Sequence, residues 1–121
     1  MNAPLGTHLL VELRQTNPGK LDDLEFIRNA MINAAQEVGA TIVGDTFHRF
    51  SPQGVTGVVA IAESHISIHT WPEYCYAAVD VFVCGDSLIP EKAANLIIEL
   101  LDCKDPEILR VTRGKLPAYA D

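Results

Sequence analysis

Residues 55–73 read VTGVVAIAESHISIHTWPE, and this stretch decides the fold. It begins with residues 55–62, a run that is apolar on both faces and is typical of a strand inside a sheet. Over residues 65–69 polar side chains then alternate with isoleucines, which predicts a second strand with one polar and one apolar face. A tight hairpin at Glu63-Ser64 is therefore expected between two neighbouring antiparallel strands.

Further predicted strands and helices surround this hairpin. We expect strands at 5–13, 41–50, 76–84 and 107–112, a helix that begins at Asn17-Pro18 and ends at Gly39, and a second helix that opens at Pro90-Glu91. The order β-α-β-β-β-β-α-β predicts an α+β fold, a two-layer sandwich in which a mostly antiparallel sheet carries two helices on one face. With 121 residues and no visible linker, residues 1–121 are expected to form one domain.

Charge and hydropathy exclude several classes of function. The net charge is -7, and a protein that binds nucleic acid normally needs a positive surface to displace counterions from phosphates. No stretch approaches the roughly 20 apolar residues that cross a bilayer, so no membrane segment is predicted. The N-terminus lacks a basic region followed by an apolar run, which makes the cytoplasm the expected location.

The cysteines and histidines do not predict a metal site. Three cysteines with no C-x-x-C pair argue against a disulfide framework and against a structural zinc site. His65 and His69 are four residues apart, which on a strand separates them by about 13 Å, too far to share one ion. We therefore expect no metal.

Two segments and a cysteine carry a resemblance to a known family. Residues 46–50, which read TFHRF, and residues 63–74, which read ESHISIHTWPEY, are followed by Cys84. Together they resemble the bacterial S-adenosylmethionine decarboxylase proenzymes, the short prokaryotic type that depends on a pyruvoyl group. The resemblance covers most of residues 41–85 closely and the flanking segments only in pattern.

The resemblance implies that the chain makes its own cofactor. Self-cleavage between Glu63 and Ser64 would give a β chain, residues 1–63, and an α chain, residues 64–121, with Ser64 converted to a covalent pyruvoyl group. Decarboxylation of an amino acid leaves an electron pair that no ordinary side chain accepts, and a pyruvoyl group that forms a Schiff base with the substrate amine can accept it. The chain has no phosphate-binding loop for pyridoxal phosphate.

The family's catalytic roles map onto four further positions. Glu63 supplies the carbonyl that Ser64 attacks, and His69 corresponds to the base for processing, which suits an imidazole because the ring is mostly neutral near pH 7. Thr56 stands where the family usually has a serine that assists processing, and it keeps the hydroxyl. Cys84 corresponds to the proton donor for decarboxylation.

The resemblance also implies the substrate and the assembly. Phe50 and His69 correspond to the pair that sandwiches adenine, and Glu73 to the carboxylate that takes the ribose hydroxyls, a task that suits a group with two acceptor oxygens. The partner is then S-adenosylmethionine, and the product feeds spermidine biosynthesis. Processed protomers are expected to form a homodimer with sites near the subunit interface.

The spacing of Ser64 and His69 poses a geometric difficulty. They are five residues apart, so on one regular strand their side chains would point to opposite faces of the sheet. The backbone must therefore turn or bulge between about residues 62 and 65, which would also concentrate strain at the bond to be cut.

Two other functions stay open on the sequence. Thr56, Cys75 and Val83 depart from the family pattern, in which serine, glycine and threonine are usual, and relatives that decarboxylate arginine or ornithine use the same pyruvoyl chemistry. An unprocessed paralogue that binds a nucleoside or regulates an active partner is the alternative of another class. Phe50 and Glu73 favour S-adenosylmethionine because a short basic amino acid gives them no obvious task.

Overall fold

The computed structural model describes residues 3–117, in which six strands form one sheet. The strands are β1 (Gly6–Arg14), β2 (Ile42–Arg49), β3 (Val55–Ile61), β4 (Ser64–Trp71), β5 (Tyr76–Cys84) and β6 (Asp105–Arg113). They lie in the order β2-β3-β4-β5-β1-β6, and every neighbouring pair is antiparallel. The helices are α1 (Pro18–Leu21), α2 (Leu24–Glu37) and α3 (Pro90–Leu100).

The hairpin expected in residues 55–73 is present, shifted by one residue. Ile61 pairs with Ser64, so the loop between β3 and β4 consists of Ala62 and Glu63 and not of Glu63 and Ser64. Ser64 is therefore the first residue of β4, and the Glu63-Ser64 bond joins the hairpin loop to that strand.

The single helix expected from Asn17 to Gly39 is two helices. The Asn17 side chain accepts a hydrogen bond from the Lys20 amide at 3.1 Å and caps α1, which ends after one turn. Asp23 then caps α2 by accepting from the Phe26 amide at 3.1 Å. Two successive capping residues thus break a helical pattern that spacing alone made continuous. Gly39, with φ +81°, follows the end of α2 as predicted.

The core lies between the helices and one face of the sheet. Its fully buried members include residues from β1, β4, α2 and α3: Leu9, Leu13, Ile27, Met31, Ile66 and Ile97. Burial of each such side chain stabilises the fold by about 1.5–3 kcal/mol. This two-layer arrangement confirms the α+β fold that the element order predicted.

Residues before and after the 63–64 bond interleave in the sheet. Strand β1 lies between β5 and β6, and β3 lies beside β4, so segments from the two sides of the bond alternate. A break at that bond would leave these hydrogen bonds and the shared core in place. Two pieces of the cut chain would therefore remain associated.

The other face of the sheet is open in the single chain. His65, Ser67 and His69 alternate on it with the buried Ile66 and Ile68 of the same strand, as the polar and apolar alternation predicted. Among residues 3–117, the packed helices belong to the opposite face. We call this surface the open face.

No helix within residues 3–117 is both long enough and apolar enough to cross a bilayer.

Candidate active site

Ser64 adopts a backbone conformation that serine rarely takes. Its φ is +147°, in the region that favours glycine, and it occurs at the first residue after the two-residue loop. Such a conformation costs about 1–3 kcal/mol and persists only where the surrounding structure imposes it. The pairing of β4 with β3 on one side and β5 on the other imposes it here. The expected strain therefore falls on the residue that follows the bond to be cut.

The Glu63 carbonyl oxygen accepts a hydrogen bond from a backbone donor. The Cys84 amide donates to it at 2.8 Å across the end of β5. Attack of a nucleophile on this carbonyl would place negative charge on the same oxygen, and a fixed N–H donor aimed at it stabilises that charge. The contact brings Cys84 next to the Glu63-Ser64 bond, although 20 residues of sequence separate Ser64 from Cys84.

The Glu63 carboxylate points away from this chemistry. Its two oxygens lie 3.1 Å from the Thr41 amide and 3.5 Å from Thr41 Oγ1, at the start of β2. The Ala62 amide donates to the Thr41 carbonyl at 2.8 Å. These bonds anchor the loop, so Glu63 contributes its carbonyl to the site and its side chain to the position of the hairpin.

His65 is the histidine that the structure places against Ser64. Ser64 Oγ lies 3.3 Å from His65 Nδ1. No catalytic role for His65 follows from the sequence, and neighbouring side chains on a regular strand point to opposite faces. The unusual φ of Ser64 makes this part of the strand irregular, so the two neighbouring side chains come into contact. The sequence does not specify this dihedral angle.

A second group of predicted residues surrounds a cavity on the open face. The cavity has a volume of about 340 Å³, and Thr56 and His69, which pair across β3 and β4, are among its lining residues. The Phe50 ring, 39% exposed, lies 5.7 Å from the His69 ring between centroids, and the Trp71 ring lies 4.3 Å from the His69 ring. An imidazole flanked by aromatic rings is suited to stacking against a planar base.

His69 is far from Ser64 within one chain. Five residues of extended strand separate them, a distance of about 16 Å. The structure therefore brings together Glu63, Ser64 and Cys84 at one end of the open face, and Thr56, His69 and Phe50 towards the other. The turn expected between about residues 62 and 65 is present as the loop of Ala62 and Glu63 and the positive φ of Ser64, but it leaves Ser64 and His69 at opposite ends of β4.

Glu73 lies in a short 3-10 turn that follows β4, Pro72–Tyr74, and Cys75 comes directly after this turn. Glu73 is exposed and lies two residues beyond Trp71. Cys75 has φ +52°, which explains why glycine is favoured at this position, since a left-handed residue with a side chain costs about 1–2 kcal/mol. Its carbonyl accepts from the Thr16 amide at 2.9 Å, which ties the turn to the end of β1.

A larger cavity lies away from these residues. Its volume is about 960 Å³, and its lining includes Thr16, Cys75, Asp102 and Cys103. It is formed where α3 ends and β5 begins, whereas Ser64 pairs with Val83 near the end of β5. The larger cavity therefore contains none of the residues that the sequence predicts to be catalytic or substrate-binding.

Asp22 holds the connection that carries Phe50. Its carboxylate accepts from the Gly54 amide at 2.9 Å and from Arg49 at 2.8 Å, and its carbonyl accepts from Arg49 Nε at 3.1 Å. The hydrogen bond from Gly54 has the largest effect on the Asp22 carboxylate and the hydrogen bond from Arg49 the next largest, and together they lower the pKa of Asp22 below its ordinary value of 3.8. The ionised carboxylate thus stabilises both ends of the segment that contains Phe50.

Substitution of Asp22 should change the acid stability of the protein. Because the folded pKa of Asp22 is depressed, its contribution is complete above the ordinary value and is lost as the pH falls through the folded pKa. Asp22→Asn should lower the free energy of unfolding near pH 7. The difference between the wild type and the variant should shrink as the pH falls below about 4. Urea unfolding at several pH values measures the difference, with the exposed Asp86→Asn as the control. A wild-type advantage that stays constant down to pH 2 would contradict the assignment.

Comparisons with known proteins agree on one family. The family described as S-adenosylmethionine decarboxylase matches residues 7–114. The S-adenosylmethionine decarboxylase proenzyme of Thermodesulfovibrio yellowstonii is 56% identical over 110 residues, which cover 91% of this chain and 82% of that protein. The proenzyme of the same name from Thermosipho africanus is 50% identical over 111 residues, with 92% and 85% covered. The crystal structure of the adenosylmethionine decarboxylase from Aquifex aeolicus VF5 superimposes with a TM-score of 0.90 at 36% identity, covering 99% of each chain.

Proposed function

The chain belongs to the S-adenosylmethionine decarboxylase family, and from this we propose that it cuts itself between Glu63 and Ser64 and then decarboxylates S-adenosylmethionine. One observation carries the proposal: a strained serine follows a carbonyl that already accepts a hydrogen bond from a backbone amide. The arrangement fits the conversion of Ser64 to a pyruvoyl group. The family relatives are named proenzymes, which agrees with a precursor that must be processed.

The proposed processing uses groups of this chain in a defined order. Ser64 Oγ attacks the Glu63 carbonyl carbon, the Cys84 amide stabilises the oxyanion, and the acyl group moves from nitrogen to oxygen to form an ester. Loss of the Ser64 α-proton then expels the Glu63 carboxylate and leaves a dehydroalanine, which hydrolyses to a ketone and ammonia. We assign removal of the α-proton to His69, as the family resemblance implies.

The ketone made from Ser64 would supply the electron sink for decarboxylation. The protein's task is then to orient the substrate and deliver a proton to the carbon that has lost carbon dioxide. We propose that the Cys84 thiol is the donor, because Cys84 is exposed and its amide already touches the residue before Ser64. Phe50 and His69 would hold adenine between their rings after the Phe50 ring moves away from its present distance of 5.7 Å to admit the base, and Glu73 would accept the ribose hydroxyls.

The separation of Ser64 from His69 leads us to propose that the site is shared between two copies of the chain. The open face carries exposed apolar side chains beside its polar ones, with Leu10 and Val58 each 37% and Leu109 55% exposed. Two open faces related by a two-fold axis perpendicular to the strands would place the Ser64 end of one copy over the His69 end of the other. A homodimer of this kind unites residues that about 16 Å of strand separates in one copy.

Polar groups on the open face are paired with one another within the chain. Asp80 lies 3.0 Å from His8 Nε2 and accepts a hydrogen bond from Ser67 at 3.2 Å. The Tyr76 hydroxyl donates to Glu12, and burial, together with this carboxylate, raises the pKa of Tyr76 to about 12. These groups are satisfied within the chain, so contact with a second copy would not leave them as unpaired buried polar groups.

Two measurements test the proposed function: the carbon dioxide released from the substrate and the masses of the chains in the denatured protein. Purified protein should release carbon dioxide from carboxyl-labelled S-adenosylmethionine, and should do so at least about 100-fold faster than from arginine or ornithine, since a site built for adenosine lacks contacts for them. Denatured protein should contain fragments 1–63 and 64–121, the second with a blocked N-terminus that borohydride reduces. A preference for arginine or ornithine would replace the substrate. A single uncut chain without turnover would indicate a non-catalytic paralogue.

A further inference from the structure

We propose that His65 is the base that activates Ser64 for self-cleavage, an inference that rests on the proposed function. The role differs from that of His69, because two protons must be removed from Ser64 during processing. One is the hydroxyl proton, lost when Oγ attacks, and the other is the α-proton, lost when the ester is eliminated. His65 acts on the first and His69 on the second.

The geometry supports His65 for the first proton. Ser64 Oγ lies 3.3 Å from His65 Nδ1, a separation close to that of a resting nucleophile and its base. With its own proton on Nε2, the ring presents the Nδ1 lone pair to the hydroxyl. His69, about 16 Å along the same strand, cannot serve this oxygen in its own chain.

The surroundings of His65 hold its ring in place. On the open face it lies between Ala60 of β3 and Phe82 of β5, its partners in the register of the sheet. The His65 and Phe82 rings are 5.6 Å apart between centroids at an interplanar angle of 46°. The ring is half-buried, which restricts its rotation while leaving room for a proton to be exchanged.

The step balances within the chain. The Oγ–H bond of Ser64 breaks, its proton passes to His65 Nδ1, and Oγ bonds to the Glu63 carbonyl carbon. The oxyanion is stabilised by the Cys84 amide, which lies 2.8 Å from that oxygen. The bond between the Glu63 carbon and the Ser64 nitrogen then breaks, and the proton returns from the imidazolium to that nitrogen. The products are an ester on Oγ, a free α-amine and a neutral His65, and no further reactant is consumed.

The assignment predicts where processing stops when each histidine is removed. After cell-free synthesis, His65→Ala should cleave about 10²–10⁴-fold more slowly than the wild type, because a positioned base is lost. It should accumulate no ester, so hydroxylamine should not split the chain. His69→Ala should stop later and accumulate a precursor that hydroxylamine splits into 1–63 and a fragment with an ordinary N-terminal serine. Imidazole added to the buffer should restore part of the cleavage of His65→Ala.

His8→Ala is the matched control for packing. The His8 ring lies at the same centroid distance of 5.6 Å from Phe82, on its other side, and contacts Asp80 instead of Ser64. We expect His8→Ala to cleave within a few-fold of the wild-type rate, and thermal unfolding of the precursors compares the stability cost of the two variants. His65→Ala that cleaves as fast as His8→Ala, or that accumulates the ester, would overturn the assignment. Failure of the wild type to cleave would instead overturn the proposed function.

Discussion

Replacement of Ser64 by alanine is expected to leave a single 121-residue chain with no decarboxylase activity. The hydroxyl that attacks the Glu63 carbonyl would be missing, so neither the ester nor the ketone could form. The loss should be complete and not partial, because no other group of the chain can become the electron acceptor at this position. Intact-mass measurement of the denatured protein and release of labelled carbon dioxide report the two losses separately.

The control for Ser64→Ala is Ser87→Ala, which removes the hydroxyl of an exposed serine between β5 and α3. This variant should be cut as the wild type is. Ser64→Ala should also keep its fold, since alanine adds no bulk and the sheet and core contacts remain. Full carbon dioxide release from an uncut Ser64→Ala chain would mean that the electron sink is another group.

Co-expression of Ser64→Ala with His69→Ala is expected to restore cleavage that neither variant shows alone. In a shared site, the intact His69 of the first variant faces the intact Ser64 of the second. The His69→Ala chain should then be cut, while the Ser64→Ala chain stays whole. With equal amounts and random pairing, about half of the His69→Ala chains have a Ser64→Ala partner and can be cut.

Two affinity tags of different mass on the variants would identify which chain is cut. Mixing the two variants after separate purification should restore cleavage only as fast as subunits exchange. A matched mixture of Ser64→Ala with the double variant Ser64→Ala and His69→Ala lacks an intact Ser64 and should remain whole. Cleavage of the His69→Ala chain on its own, at the wild-type rate, would show that His69 does not take part in processing.

The strands could be predicted because they depend on local patterns. Alternation over residues 65–69 has the period of a strand with one buried face, and the structure places Ile66 and Ile68 in the core as that pattern requires. The family resemblance was carried by a nearly continuous segment around Ser64, so it did not depend on knowing the fold. Gly39 and Pro90 likewise mark helix ends through their own backbone preferences.

The break between α1 and α2 could not be predicted from helical spacing. Asp22 ends the first helix while its carboxylate and carbonyl bind Arg49 and Gly54, which lie about 30 residues further along the chain. Apolar residues keep the spacing of one helix through the break because both helices face the same core. Only the packed structure shows that the capping residues and the distant hydrogen bonds divide this segment into two helices despite its continuous helical spacing.

The sequence by itself determined the strand pattern, the hairpin and the segment that carries the chemistry, because periodicity and side-chain type act locally. Only the tertiary structure decided that the Cys84 amide binds the Glu63 carbonyl, that Ser64 has a positive φ, and that its hydroxyl therefore meets His65. These relations depend on strand register and on a single unusual dihedral angle, neither of which is specified by residues taken in order.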